Sequence, residues 1–382
     1  MFDVFSYLSL FLLVFDLAIP PVQFIGSAPF SLFISLGVCF FCGKRVGNWP
    51  ELKKFFLPFF IFYFLFIFFI AIRIIFSGEI NYLLSILKSL LIFSATVIYL
   101  FVFGCERANN KLINIFFANG VICLIAGSIP TVLDWVYMFK VGVREVEYIP
   151  YRNAFLAGSG YFGMASAYAL IILLCSHKLV QDGISPSFLI KFLVILIAGV
   201  LAGRTAFIAI LISYLYIMSK SVKYSLWGIG IIILLIGIVL SIDALSVYSE
   251  WIFEFVSING DSISLSNTSS TDALKKMYFM PTNDWTWVWG DGRYVDGEGY
   301  YMNTDAGYMR NLFFGGLPFV FLVIAYTFMF AIKSKNYFFI YFILPLLFSL
   351  HYKGVFILNN PAGVAVLAIL TYWFNQEWKE KN

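Results

Sequence analysis

The residue that most demands a chemical explanation is Arg204, in the run IAGVLAGRTAFIAI, where two apolar stretches meet with no room for a loop. A guanidinium at that depth costs about 3 kcal/mol on insertion scales unless it meets an anion or a water-filled cavity. Thr205 and the Gly199-x-x-x-Gly203 spacing permit close backbone approach, which suits an anion site. The competing reading is an arginine that snorkels to the interface or pairs with Asp16 or Asp243. Four more arginines stand in the two long segments between apolar runs: Arg144 and Arg152 in the first, Arg293 and Arg310 in the second. A guanidinium grips two phosphate oxygens at once, the usual way to hold a pyrophosphate. Solvated charges paired with Glu145, Glu147, Asp291 or Asp296 are the plainer account, and only Arg310, just past Asp305-Ala306-Gly307 at the mouth of an apolar run, is favoured above it.

General bases are available in the second segment. Asp305 and Asp291 are the candidates, with Asp284, Asp296 and Glu298 nearby. A carboxylate takes a proton from a sugar hydroxyl in a transition state, although in Gly290-Asp291-Gly292 an aspartate also serves the turn itself. His351, beside Lys353 and ahead of Asn359-Asn360-Pro361, is a candidate base or donor, or an interface histidine without a role. Trp285, Trp287 and Trp289 alternate, so in a strand they share one face, with Trp287 and Trp289 as a stacking platform for sugar rings. Tryptophan at a membrane interface is equally expected without a ligand. Arg73 and Lys88 flank a short turn holding Glu79 and are expected to pair with it. No paired-histidine, H-E-x-x-H or D-x-D pattern argues for a metal, and no phosphate-loop or dinucleotide fingerprint argues for a nucleotide cofactor. No basic patch suggests nucleic acid. The cysteines, including Cys39 and Cys42, fall in apolar runs or at their ends and imply no disulfide framework.

The elements that must position these groups are membrane helices. Of 382 residues, 61% are hydrophobic and 12% charged, and the mean hydropathy is +0.89. Apolar runs near the length that crosses roughly 30 Å of hydrocarbon recur throughout, and they are too continuously apolar for barrel strands. They fall near 4–19, 25–42, 55–77, 82–104, 113–134, 158–176, 187–203, 205–219, 225–243, 307–332, 336–351 and 355–374, which predicts an all-α polytopic protein of about 12 spans in one integral domain, 1–382. With the N-terminus inside, each inside loop and the C-terminal tail carries at least two Lys or Arg, as the positive-inside rule requires. Both termini are then cytoplasmic, and two longer outside segments remain, 135–157 and 244–306, the larger lying between spans 9 and 10. Within the larger, a short amphipathic helix is expected at Ala273 to Phe279, stopped by Pro281, followed by an ordered, turn-rich lid dense in Trp, Tyr, Gly and Asp. No cleavable leader is expected from the first residues.

In this arrangement the chain resembles the O-antigen polymerase (Wzy) family, within the superfamily that includes the lipopolysaccharide O-antigen ligases. The resemblance covers the topology, and locally rests on Gly203-Arg204-Thr205 and on the passage VWGDGRY…NTDAGYMRNLFFGGLPFVF. It implies a GT-C-like fold in a bacterial inner membrane and a metal-independent glycosyltransferase. Its substrate would be an undecaprenyl-pyrophosphate-linked oligosaccharide, polymerised on the periplasmic face with a chain-length regulator as partner. Arg204 matches the family's junction arginine, and Asp305 with Arg310 match the loop–helix passage. The spacing of Arg144, Arg152 and Arg293 departs from the family's arginine pattern. A ligase is the first rival, although such a relative is expected to carry a histidine in the large loop. A lipid-linked oligosaccharide flippase is the second, although it would have short outside loops.

Overall fold

The computed structural model describes residues 2–18, 25–43, 45–139, 153–221, 226, 228, 230, 256–259, 262–265, 269–297 and 299–382. The helices are α1 (Phe2–Phe15), α2 (Ala28–Cys42), α3 (Trp49–Ser77), α4 (Asn81–Phe103), α5 (Ala108–Ser128), α6 (Pro130–Phe139) and α7 (Gly160–Asp182). After them come α8 (Pro186–Ala202), α9 (Ala206–Lys220), α10 (Ser269–Met277), α11 (Asp284–Val288), α12 (Gly307–Ser334), α13 (Leu344–Lys353) and α14 (Pro361–Lys381). A π-helical turn, Phe339–Ile343, leads into α13. Two small antiparallel hairpins complete the described chain: β1 (Val256–Asn259) with β2 (Ser262–Leu265), and β3 (Val295–Asp296) with β4 (Gly299–Tyr300).

This is an all-α membrane protein. Helices α3, α4, α5, α7 and α12 are long and apolar enough to cross a bilayer, and α1, α2, α8, α9 and the Phe339–Lys353 stretch are shorter apolar helices. Of the twelve apolar segments in the sequence, only 225–243 falls almost wholly outside the described residues; each of the others overlaps a helix. The segment at 113–134 is broken rather than continuous. Pro130 pushes Ile129 into extended backbone, φ −119 and ψ 100, so α5 stops at Ser128 and α6 starts anew.

Packing follows from which helix faces are apolar and which are also inward. On α3, Phe55, Phe59, Tyr63, Phe66 and Ile70 recur at helical spacing and are buried, while Phe64, Phe68 and Phe76 on other faces are exposed. Helix α14 is buried nearly all round from Pro361 to Leu370 and forms the centre, and α7 is similarly enclosed. Small residues set the closest approaches. A Cβ at Gly203 would lie 3.0 Å from Ala165 Cβ, and one at Gly199 would lie 3.0 Å from Tyr168 Cβ. The Gly-x-x-x-Gly stripe thus seats α8 against α7.

Both described termini lie at one end of the bundle. Asp3 approaches Lys111 at 3.8 Å at the start of α5. The C-terminal helix bonds Glu51 at the start of α3 through Gln376, 2.8 Å. At the far end sit the α3–α4 turn, the α8–α9 junction, the 284–306 segment and the end of α13. A half-buried pair closes the base of that end, where Lys88 Nζ meets the buried Asp16 at 2.7 Å. Asp16 also accepts from Ala28 N at 3.1 Å. The expected Lys88–Glu79 pairing is therefore wrong, and Asp16, one of the acids suggested as a partner for Arg204, is engaged by Lys88. An aspartate buried at 0% exposure takes the ammonium that can reach it from α4.

Candidate functional site

The site at the far end is built on a break in α12. Gly315 (φ −137, ψ 16) and Gly316 (φ 66, ψ −168) interrupt the helix, and Pro318 follows, lacking the N–H that would have bonded Phe314 O. The 290–292 turn supplies the missing donors: Asp291 N donates to Phe313 O at 2.6 Å and Gly292 N to Phe314 O at 3.1 Å. The two backbones touch. A Cβ at Gly316 would lie 2.6 Å from Val288 O, and one at Gly290 (φ +72) 2.5 Å from Gly315 N. Only glycine satisfies both the positive φ and the contact.

Side chains from α3 and the α3–α4 turn hold the same segment down. Arg73 donates to Gly290 O at 2.9 Å. Glu79 accepts from Tyr294 N at 2.6 Å and Val295 N at 3.1 Å, and burial raises its carboxyl above the usual range against those bonds. Arg73 and Glu79 thus each clamp the loop instead of pairing with one another. The buried ring of Tyr294 stacks on Tyr82, centroids 3.9 Å apart. Asp291 is fully occupied within the turn, accepting from Thr286 Oγ1 at 2.6 Å and Tyr301 OH at 3.2 Å.

Arg310, one turn into α12, lies on top of this platform. Its guanidinium is sandwiched between the Tyr294 ring at 3.9 Å and the Tyr300 ring at 4.1 Å, and its side chain is 10% exposed. Nη1 approaches Asp305 Oδ1 at 3.5 Å. Asp305 keeps 40% of its side-chain surface open. Burial pushes its carboxyl up to about 6, against the lowering effects of Arg310, Lys353 and a hydrogen bond from Tyr300. It is poised near neutrality, as a general base needs to be.

The α13 end joins a third stretch to this pair. Lys353 Nζ donates to Thr205 Oγ1 at 3.0 Å, tying the Arg204–Thr205 junction to the end of α13 while its charge acts on Asp305. Arg204 is half-buried, in the turn between α8 and α9. Helix α12 presses on the same place, because a Cβ at Gly307 would lie 2.2 Å from His351 O and 2.8 Å from Gly354 O. His351 is fully buried beneath that contact, its Nε2 at 2.8 Å from Asn311 Nδ2 and its ring edge-on to Tyr308. Among the described residues no hydrogen-bond partner engages His351 Nδ1 or Asn311 Oδ1, although both atoms are buried.

The fold therefore gathers Asp305, Arg310 and the Arg204 junction at one end. His351 lies just beneath them, and Asp291 is bound into the supporting turn. Arg293 is exposed, 5.9 Å from the Tyr301 ring. Arg144 and Arg152 lie outside the described residues. The tryptophans differ from expectation. Asn283 caps a helix through Trp285 N at 3.0 Å, so residues 284–288 are helical and the three indoles do not share a strand face. Trp287 packs under Ala306 and Phe313, whereas Trp285 (68% exposed) and Trp289 (49% exposed) face outward. Sequence reasoning missed Lys353 as a member of the site, and Tyr294 and Tyr300 as the guanidinium's walls. The dense tyrosines of the segment were the signal available for the latter. Comparisons of the chain with protein-family models, curated proteins and solved structures return no match.

Proposed function

We propose that this chain is a membrane glycosyltransferase. On this reading it polymerises undecaprenyl-pyrophosphate-linked repeat units of O-antigen, or a related surface polysaccharide, on the periplasmic face of a bacterial inner membrane. The observation that carries the reading is the convergence of a half-exposed carboxylate near neutrality, Asp305, with the cations Arg310 and Lys353 and the Arg204–Thr205 junction. About twelve spans in a GT-C-like arrangement, cytoplasmic termini, and a chain-length regulator as partner belong to the same reading. The large 244–306 segment favours it over a flippase. The two histidines, His177 and His351, both lie outside that segment, which favours it over a ligase.

In the mechanism, Asp305 takes the proton from an acceptor sugar hydroxyl. The hydroxyl oxygen forms a bond to the donor's anomeric carbon as the carbon–oxygen bond to the pyrophosphate breaks. The leaving pyrophosphate carries away that electron pair, and Arg204 offsets the charge that develops on it. Arg310 keeps Asp305 oriented and favours its ionised form.

The test is Asp305→Asn beside Asp291→Asn in a host that assembles the glycan. Asp305→Asn is expected to leave a single repeat unit on the lipid core with normal membrane levels of protein. Asp291→Asn is expected to lose activity only as far as it loosens the turn. A normal ladder from Asp305→Asn overturns the assignment, and absence of any repeat unit points to a ligase or flippase.

A further inference from the structure

We propose that Lys353 is a third cation of the substrate site: it bridges the Arg204–Thr205 junction to Asp305 and, with a lipid diphosphate bound, contacts its phosphate oxygens alongside Arg204. The proposal rests on the lipid-diphosphate reading above and adds the residue that joins the two halves of the site.

Three observations lead to it. First, Lys353 is fixed in space by its backbone. It ends α13, where the helix dipole favours a cation, and its neighbours are pinned on both sides. Tyr278 OH donates to Tyr352 O at 2.6 Å, the two rings stack at 4.3 Å, and Gly307 closes on Gly354. Second, its ammonium sits at 3.0 Å from a hydroxyl of the very junction that carries Arg204. Thr205 is buried, so its hydroxyl holds the Lys353 ammonium beside the Arg204 backbone. Third, Arg310 is already engaged: both faces of its guanidinium are covered by tyrosine rings and Nη1 is directed at Asp305. Its planar fork organises the base. A diphosphate carries more than one negative charge, and Arg204 and the compact point charge of Lys353 stand at the one junction.

The groups facing Asp305 are Arg310 on α12, Lys353 on α13 and Tyr300 on β4, with Tyr294 and, behind it, Glu79 of the α3–α4 turn. Removing Lys353 therefore has a second consequence that a purely structural stitch would not have. The carboxyl of Asp305 loses one of its two cations and holds its proton to higher pH.

The experiment uses the full-length purified protein in detergent, with farnesyl diphosphate as the probe and farnesyl monophosphate as its control. Lys353→Met is expected to weaken farnesyl diphosphate binding about tenfold or more, the loss of one hydrogen bond to a charged group. Lys353→Arg is expected to stay within about threefold of the unmodified protein. In a glycan-forming assay, Lys353→Met should also move the acid limb of the activity profile upward. Lys353→Gln carries the same comparison if the methionine variant does not accumulate. Equal diphosphate affinity in Lys353→Met and the unmodified protein overturns the proposal, as does a loss equal in the Arg and Met variants. Equal affinity for the mono- and diphosphate overturns it as well. Asp305→Asn is expected to bind the probe normally while making no polymer. A chain that binds the probe through Lys353 and never polymerises glycan keeps this proposal and refutes only the polymerase reading.

Discussion

Arg310→Met removes the guanidinium while keeping a long apolar stem between the two tyrosine rings. The cost to stability is modest: two cation–π contacts at about 1 kcal/mol each, and at most about 1 kcal/mol for an ion pair whose carboxylate is 40% exposed. The functional effect is larger because Asp305 stands near neutrality. With its carboxyl at about 6, roughly 90% of Asp305 is ionised at pH 7. Losing an opposite charge at this range raises a carboxyl by about one unit or more. About half or less would then be ionised at pH 7, and the ionised form would return near pH 8. The sign follows from the role: a base works only when ionised, so activity falls as pH drops through the folded-state value, and the variant should fall earlier. The assay is polymer formation by membrane vesicles across pH 5–9. The acid limb of the variant should lie about one pH unit above that of the unmodified protein, with substantial recovery at pH 8. A limb that stays in place, or a loss that is the same at every pH, would refute Asp305 as the ionising base and Arg310 as the group that tunes it.

Two further outcomes follow from the same geometry. Gly316→Ala should cost about 2–5 kcal/mol through a left-handed φ plus overlap with the Val288 carbonyl. Gly43→Ala, with φ 61 and open space around it, should cost only about 1 kcal/mol, and melting curves in detergent that fail to separate the two would refute the interlocked turn. Arg204→Lys should be nearly as impaired as Arg204→Ala at normal membrane levels, because lysine lacks the fork that holds two phosphate oxygens. Normal glycan ladders from the lysine variant would show that Arg204 only snorkels.

What the sequence determined by itself was set by local and one-dimensional physics. Water-free hydrocarbon demands long apolar helices, so composition and run length alone sufficed for the class of protein and, the break at Pro130 aside, for where the described apolar helices fall. The Gly-x-x-x-Gly of α8 and the Gly-Asp-Gly turn were legible for the same reason, since small residues at fixed spacing announce a close approach before the partner is known. The partners themselves were decided only in three dimensions. Glu79 is 215 residues from the Tyr294 amide that it holds, and Lys353 is 148 residues from Thr205. No pattern along the chain encodes such a meeting, because it depends on which helix ends share one end of the bundle. The tryptophan spacing misled for the converse reason: alternation implies one face only in a strand, and Asn283 capped a helical turn there instead. Charge separation went the same way. Arg73 and Lys88 read as partners of Glu79 along the sequence, and tertiary packing instead set Lys88 on Asp16, Arg73 on the Gly290 carbonyl and Glu79 on two backbone amides.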